Sequence, residues 1–153
     1  INNSGVVRAD GATIGQDGRV MLTANGGRVV NTGLLAANGP TGGSVTVHGS
    51  TTEIHGQVQA MGSQGVGGTV AVTGERVEVS DALIDASGAT GGGKINIGGG
   101  YQGKDPALEN SQTTTVAADA TLKADATDNG DGGEVVVWSD GTTDFDGVIL
   151  ARG

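Results

Sequence analysis

The sequence predicts an all-β fold: a parallel β-helix with three short strands per rung and a rung length of about 25 residues, within the span of known solenoid repeats. Two repeats and one absence point to it. Gly18, Gly43, Gly68 and Gly93 are equally spaced, and each opens an alternating stretch: Arg19-Val20-Met21-Leu22, Ser44-Val45-Thr46-Val47, Thr69-Val70-Ala71-Val72 and Lys94-Ile95-Asn96-Ile97. A second repeat, an apolar residue, any residue, then alanine, runs out of phase with the first: Val7-Arg8-Ala9, Leu35-Ala36-Ala37, Val58-Gln59-Ala60, Ile84-Asp85-Ala86, Leu122-Lys123-Ala124 and Ile149-Leu150-Ala151. Helical periodicity is absent throughout. A fixed period in this range marks a solenoid, whose repeats bury their apolar faces only against one another.

The first strand of each rung follows its glycine. Alternation sends Val45 and Val47 to one face and Ser44 and Thr46 to the other. Rungs stacked about 4.8 Å apart then place Val20, Val45, Val70 and Ile95 in one inward column. Leu22, Val47, Val72 and Ile97 form a second. A further copy, Glu134-Val135-Val136-Val137, follows Gly133 after an interval longer than the period. The second strand is marked by a weaker apolar station at Ile1, Val30, Ile54, Val79, Val116 and Phe145. The third carries the alanine, whose small side chain suits a narrow interior.

Glycines are expected at the corners, where the chain needs a positive φ or a close backbone approach. The linker from alanine to the glycine pair varies in length, so this corner absorbs insertions without shifting the columns. Residues 98–115 account for the excess before Gly133 and read as a loop extruded from the rung that begins at Gly93. The whole chain, 1–153, reads as one segment of five to six rungs. Neither end resembles a cap, so the chain is expected to be a piece of a longer protein or to stack end to end.

Composition narrows the function. There are 31 glycines but one tryptophan, one tyrosine, one phenylalanine and no cysteine. A bulky aromatic core and a disulfide scaffold are both excluded. The net charge is −9, from eight Lys+Arg against seventeen Asp+Glu, with no basic run to neutralise phosphates. Nucleic acid is therefore not an expected partner. Apolar runs stop at four or five residues, too short for a membrane-spanning helix.

Three stretches carry a resemblance: LIDASGATGGG at 83–93, INIGGGYQG at 95–103 and ADATDNGDGGEVVVWSDGTTDFDGVILARG at 124–153. They resemble the filamentous-haemagglutinin-like family, the large exoproteins of two-partner secretion in Gram-negative bacteria. The resemblance implies a right-handed β-helix exported through a dedicated outer-membrane pore. It also implies a stiff stalk or filament, secreted or at the cell surface, serving adhesion or biofilm and meeting a surface receptor or glycan. No motif marks the family's N-terminal recognition domain for the pore, so the chain is expected to come from the region after it. No catalytic residue, cofactor or enzymatic activity comes with the resemblance.

Candidate site residues are few. Tyr101 and Lys104 lie in the inserted loop, and Trp138 extends the last first-strand copy; loops on rigid scaffolds often bind partners, though they also tolerate insertion. An exposed aromatic can stack on a sugar, and Trp138 can equally cover the core. Asp128 and Asp131 precede a glycine pair, and Asp144 and Asp146 follow Trp138. Oxygen ligands at this density suit Ca²⁺. The spacing of known calcium loops is missing, however, and Asp and Asn favour turns by bonding their own backbone. The alternative functions are a polysaccharide-processing enzyme, with Asp81 and Asp85 as its carboxylates, and a carbohydrate-binding module. His48 and His55 are too isolated to form a metal pair and read as solvated strand-end residues.

Overall fold

The computed structural model describes residues 1–13 and 17–153. The chain winds through six rungs. β1 (Asn2–Asn3) and β2 (Val6–Arg8) belong to the first, β3 (Arg19–Asn31) and β4 (Leu34–Ala36) to the second, and β5 (Ser44–Ile54) and β6 (Gln57–Gln59) to the third. The fourth holds β7 (Thr69–Thr73), β8 (Arg76–Val79) and β9 (Leu83–Asp85), and the fifth β10 (Lys94–Ile97), β11 (Thr113–Val116) and β12 (Thr121–Lys123). β13 (Glu134–Val137), β14 (Thr142–Phe145) and β15 (Val148–Leu150) make the sixth. Every pairing between these strands is parallel and joins successive rungs, in one nine-stranded and one six-stranded sheet. This is a parallel β-solenoid. Its one 3-10 turn among the described residues is Tyr101–Gly103.

The inward columns are the predicted ones. Val45, Val70 and Ile95 stack in register and are fully buried, as are Val47, Val72 and Ile97. Leu35, Val58, Ile84 and Leu122 make the third-strand column. Each such side chain stabilises the stack by about 1.5–3 kcal/mol. A further column alternates valine and threonine: Val29, Thr52, Val77 and Thr114 are all fully buried. Threonine has nearly the shape of valine but brings a hydroxyl that must be satisfied. Thr52 Oγ1 donates to the Thr73 carbonyl at 2.8 Å, and Thr114 Oγ1 to the Trp138 carbonyl at 2.7 Å.

The second-strand station departs from expectation in the first two rungs. Asn31, not Val30, pairs with Ile54, and Asn3, not Ile1, pairs with Asn31. The cause is a bulge in β3. Ala24 pairs with Gly49 and Arg28 with Thr51, so Asn25 to Gly27 stand opposite Ser50 alone, with Gly26 at φ +68°. The two extra residues bring Asn31 opposite Ile54; Val29 and Asn31 are buried, and Val30 between them turns to the outer face, because side chains alternate along a strand. Asn31 is fully buried; its Oδ1 accepts from Asn3 Nδ2 at 2.8 Å and its Nδ2 donates to the Gly33 carbonyl at 3.2 Å. The first and second strands are also fused in β3 and β5, so these two rungs hold two strands rather than three.

One bond closes the variable corner at each passage from the second rung to the sixth. The amides of Gly43, Gly68, Gly93 and Gly133 donate to the carbonyls of Ala37, Ala60, Ala86 and Ala124, each at 2.7 Å, although the intervening loops differ in length. These glycines are required by close approach, not by positive φ. A Cβ at Gly68, Gly93 or Gly133 would lie 2.0 Å from the carbonyl oxygen of the equivalent glycine one rung before.

Candidate functional site

The inserted loop leaves and rejoins the solenoid at one point. Gly98 N–H donates to the Val72 carbonyl, and Ser111 N–H returns to the Gly98 carbonyl, both at 2.8 Å. Positive φ at Gly98 and Gly99, +77° and +146°, turns the chain outward there. The loop then lies against the solenoid. A Cβ on Gly103 would meet the Trp138 indole nitrogen at 2.6 Å, so the backbone rests on the ring. Asn110 Nδ2 donates to the Gly103 carbonyl at 2.9 Å. At the other end Glu109 Oε2 reaches His48 Nε2 at 3.4 Å. The loop thus ties the third rung, through His48, to the sixth, through Trp138.

Of the loop candidates, Trp138 is brought to the loop, half-buried, with its Nε1 donating to Asp140 Oδ1 at 3.0 Å. Tyr101 stays 68% exposed, and Lys104 Nζ donates to Gln102 Oε1 at 2.8 Å. His48 and His55 are half-buried rather than solvated. Their Nδ1 atoms meet Thr73 Oγ1 at 2.9 Å and Ser80 Oγ at 2.8 Å, each one rung on. Among the described atoms, buried Asn110 Oδ1 and Ser111 Oγ have no partner.

The acidic candidates separate into two places. Asp128 and Asp131 lie on the corner between β12 and β13, where the amides of Asp128 and Asn129 both donate to the Ala89 carbonyl at 3.0 Å. Asp144 is in β14 and Asp146 follows it. Among the described residues no three of His, Asp or Glu gather to hold a metal ion. Asp81 and Asp85 stand at opposite ends of β9 and line different clefts.

Sequence reading missed a polar ladder beside the alanine corner. It is formed by the residue after each alanine: Asp10, Asn38, Met61, Ser87, Asp125 and Arg152. Asp10 Oδ1 accepts the Asn38 amide at 3.0 Å, and Asn38 Oδ1 the Met61 amide at 2.8 Å. Met61 breaks the ladder, and Asp85 repairs it by accepting the Ser87 amide at 2.9 Å. Ser87 Oγ then accepts the Asp125 amide at 3.1 Å, and Asp125 Oδ1 the Arg152 amide at 2.8 Å. The Arg152 guanidinium also donates to Asp125 Oδ2 at 2.7 Å, which holds this buried carboxyl below its usual range against the upward push of desolvation. The signal available in the sequence was the oxygen-bearing residue after alanine, set one position past the repeat.

On the outer side of this ladder lies a cleft of about 480 Å³. Pro40 and Met61 give it an apolar wall; Asp85, Ser87 and Lys123 give it a polar one.

No family model matches the sequence, and no curated protein matches it. The structure is similar to the crystal structure of the HMW1 secretion domain from Haemophilus influenzae, with a TM-score of 0.85 and 27% sequence identity. The likeness covers 99% of this chain and 40% of that one, so the chain spans less than half the length of that neighbour. The match is to a secretion domain, whereas the sequence pointed to the region beyond one.

Proposed function

We propose that the chain is a segment of a secretion domain from a two-partner exoprotein, delivered across the outer membrane by a dedicated pore. Once outside it acts as a stiff β-solenoid spacer of an adhesive surface protein. The single supporting observation is a likeness to a secretion domain that runs over 99% of the chain. Six rungs at about 4.8 Å make a rod of roughly 25–30 Å. Its stiffness comes from backbone ladders in both sheets, filled aliphatic columns and the side-chain ladder at the alanine corner. The net charge of −9 opposes lateral association of such rods. A surface receptor or glycan is the partner this reading assigns to the exposed side of the loop, at Tyr101 and Lys104.

A chimera tests the export reading. The chain replaces the matching part of the HMW1 secretion domain, and release into the medium is measured with and without the outer-membrane pore. Pore-dependent release is the expected result. Folded chimera retained in the periplasm in the presence of the pore overturns the reading. Electron microscopy of the native polypeptide tests the spacer role, for which thin unbranched rods are expected and compact particles are not.

A further inference from the structure

We propose that the cleft beside the alanine corner is a binding site for a neutral saccharide, taking one pyranose residue. Its volume of about 480 Å³ falls within the usual range for small-molecule sites. The side chains there hold unspent hydrogen-bonding capacity. Asp85 is 7% exposed, and only its Oδ1 is engaged, by the Ser87 amide. Its Oδ2 has no hydrogen bond among the described residues; the nearest cation, Lys123 Nζ, stands 3.9 Å away. The ammonium of Lys123 makes no hydrogen bond among the described residues and has Asp85 as its ion-pair partner. Ser87 Oγ accepts from Asp125 and keeps its own hydrogen to give.

This combination selects against charged ligands. An anion drawn to Lys123 would face the buried Asp85 carboxylate. A cation drawn to Asp85 would face the ammonium. A hydroxyl group suits both at once, because it donates to a carboxylate and accepts from an ammonium, and both bonds are charge-assisted. Two adjacent hydroxyls on a ring would use Asp85 Oδ2, Lys123 Nζ and the Ser87 hydroxyl together. The C–H face of the same ring matches the apolar wall of Pro40 and Met61. The site sits on rigid rungs, since the ladder bonds fix the backbone on which Asn38, Ser87 and Asp85 are carried.

The test is a titration of the full chain, followed by amide chemical shifts. The probes are the methyl glycosides of glucose, galactose, mannose and N-acetylglucosamine, with inorganic phosphate and Mg²⁺ as charged probes. At least one glycoside is expected to give saturable shifts in the millimolar range at Met61, Ser87 and Gly88, and none at Leu83 and Thr121 in the neighbouring cleft. Lys123→Met, which keeps the stem and removes the donors, is expected to weaken that binding at least about tenfold. Asp85→Asn keeps an acceptor for the Ser87 amide and is expected to weaken it too; if that variant does not fold, Lys123→Met decides alone. The proposal is overturned if no glycoside moves these amides, if Lys123→Met binds as tightly as the parent, or if phosphate or Mg²⁺ binds there in place of sugar. None of these results bears on export, which the chimera reads separately.

Discussion

Asn38 Oδ1 accepts the backbone amide of Met61 at 2.8 Å, while Asn38 Nδ2 donates to Gln59 Oε1 at 3.0 Å. One side chain of the second rung thereby satisfies two groups of the third, at the corner where the sheets stop. Asn38→Ala leaves the Met61 amide without its acceptor and is expected to cost about 1–3 kcal/mol. Asn38→Asp retains the acceptor and is expected to cost less. Urea denaturation of both variants checks the order.

Position along the solenoid sets the cost of losing a core side chain. Ile84 and Ile149 occupy the same column, but Ile84 is fully buried and Ile149, in the last rung, is 43% exposed. Ile84→Ala is expected to destabilise by about 2–5 kcal/mol, and Ile149→Ala by well under half as much. Equal losses in thermal melts would mean that the last rung is covered in solution.

Glycine is indispensable in the corner column and dispensable at Gly5. A Cβ at Gly68 would sit 2.0 Å from the Gly43 carbonyl oxygen, whereas one at Gly5 meets nothing nearer than 4.0 Å. Gly68→Ala is expected to abolish folding or lower the melting temperature sharply. Gly5→Ala is expected to change it little.

The loop is held down by Trp138 and His48. Trp138→Ala removes the ring under Gly103 and is expected to speed tryptic cleavage after Lys104 severalfold, with cleavage after Lys94 in β10 unchanged. Glu109→Ala frees the other end and is expected to alter the fluorescence of the single tryptophan. A loop that stays protease-resistant in both variants would show that other contacts hold it.

Asp125 gives the fold an acid limb. Its carboxyl is held below the usual range, chiefly by the Arg152 side chain, so the folded state binds its proton less readily than the unfolded chain. That stability is fully present above the unfolded value of about 3.9 and is lost as pH falls through the lower folded value. Arg152→Met keeps the backbone amide that Asp125 also holds but removes the guanidinium. Melting temperatures of parent and variant are expected to differ at neutral pH and to converge as the pH falls through the lowered folded value of Asp125.

The rung period, the inward columns and the corner that absorbs insertions were legible in the sequence because each rests on a local, repeated pattern. Val70 is buried for the same reason as Val45, and one alternation predicts both. The second-strand station in the first two rungs was not legible. The bulge at Asn25 to Gly27 sets Asn31, not Val30, opposite Ile54, and only the pairing with β5 fixes that register. The loop candidates were legible as residues, yet their division into a half-buried anchor, Trp138, and an exposed side, Tyr101, depends on where the loop folds back.

The sequence by itself determined a parallel β-solenoid, since evenly spaced glycines, each followed by alternating aliphatics, leave few other ways to bury apolar surface without aromatics. Only the tertiary structure decided the chemistry of its surface. Asp10 and Asn38, Ser87 and Asp125, and His48 and Glu109 are each separated by at least one full rung of chain and meet because stacking lays their rungs side by side. Contacts of that range follow from register, and register is a property of paired strands rather than of any single stretch.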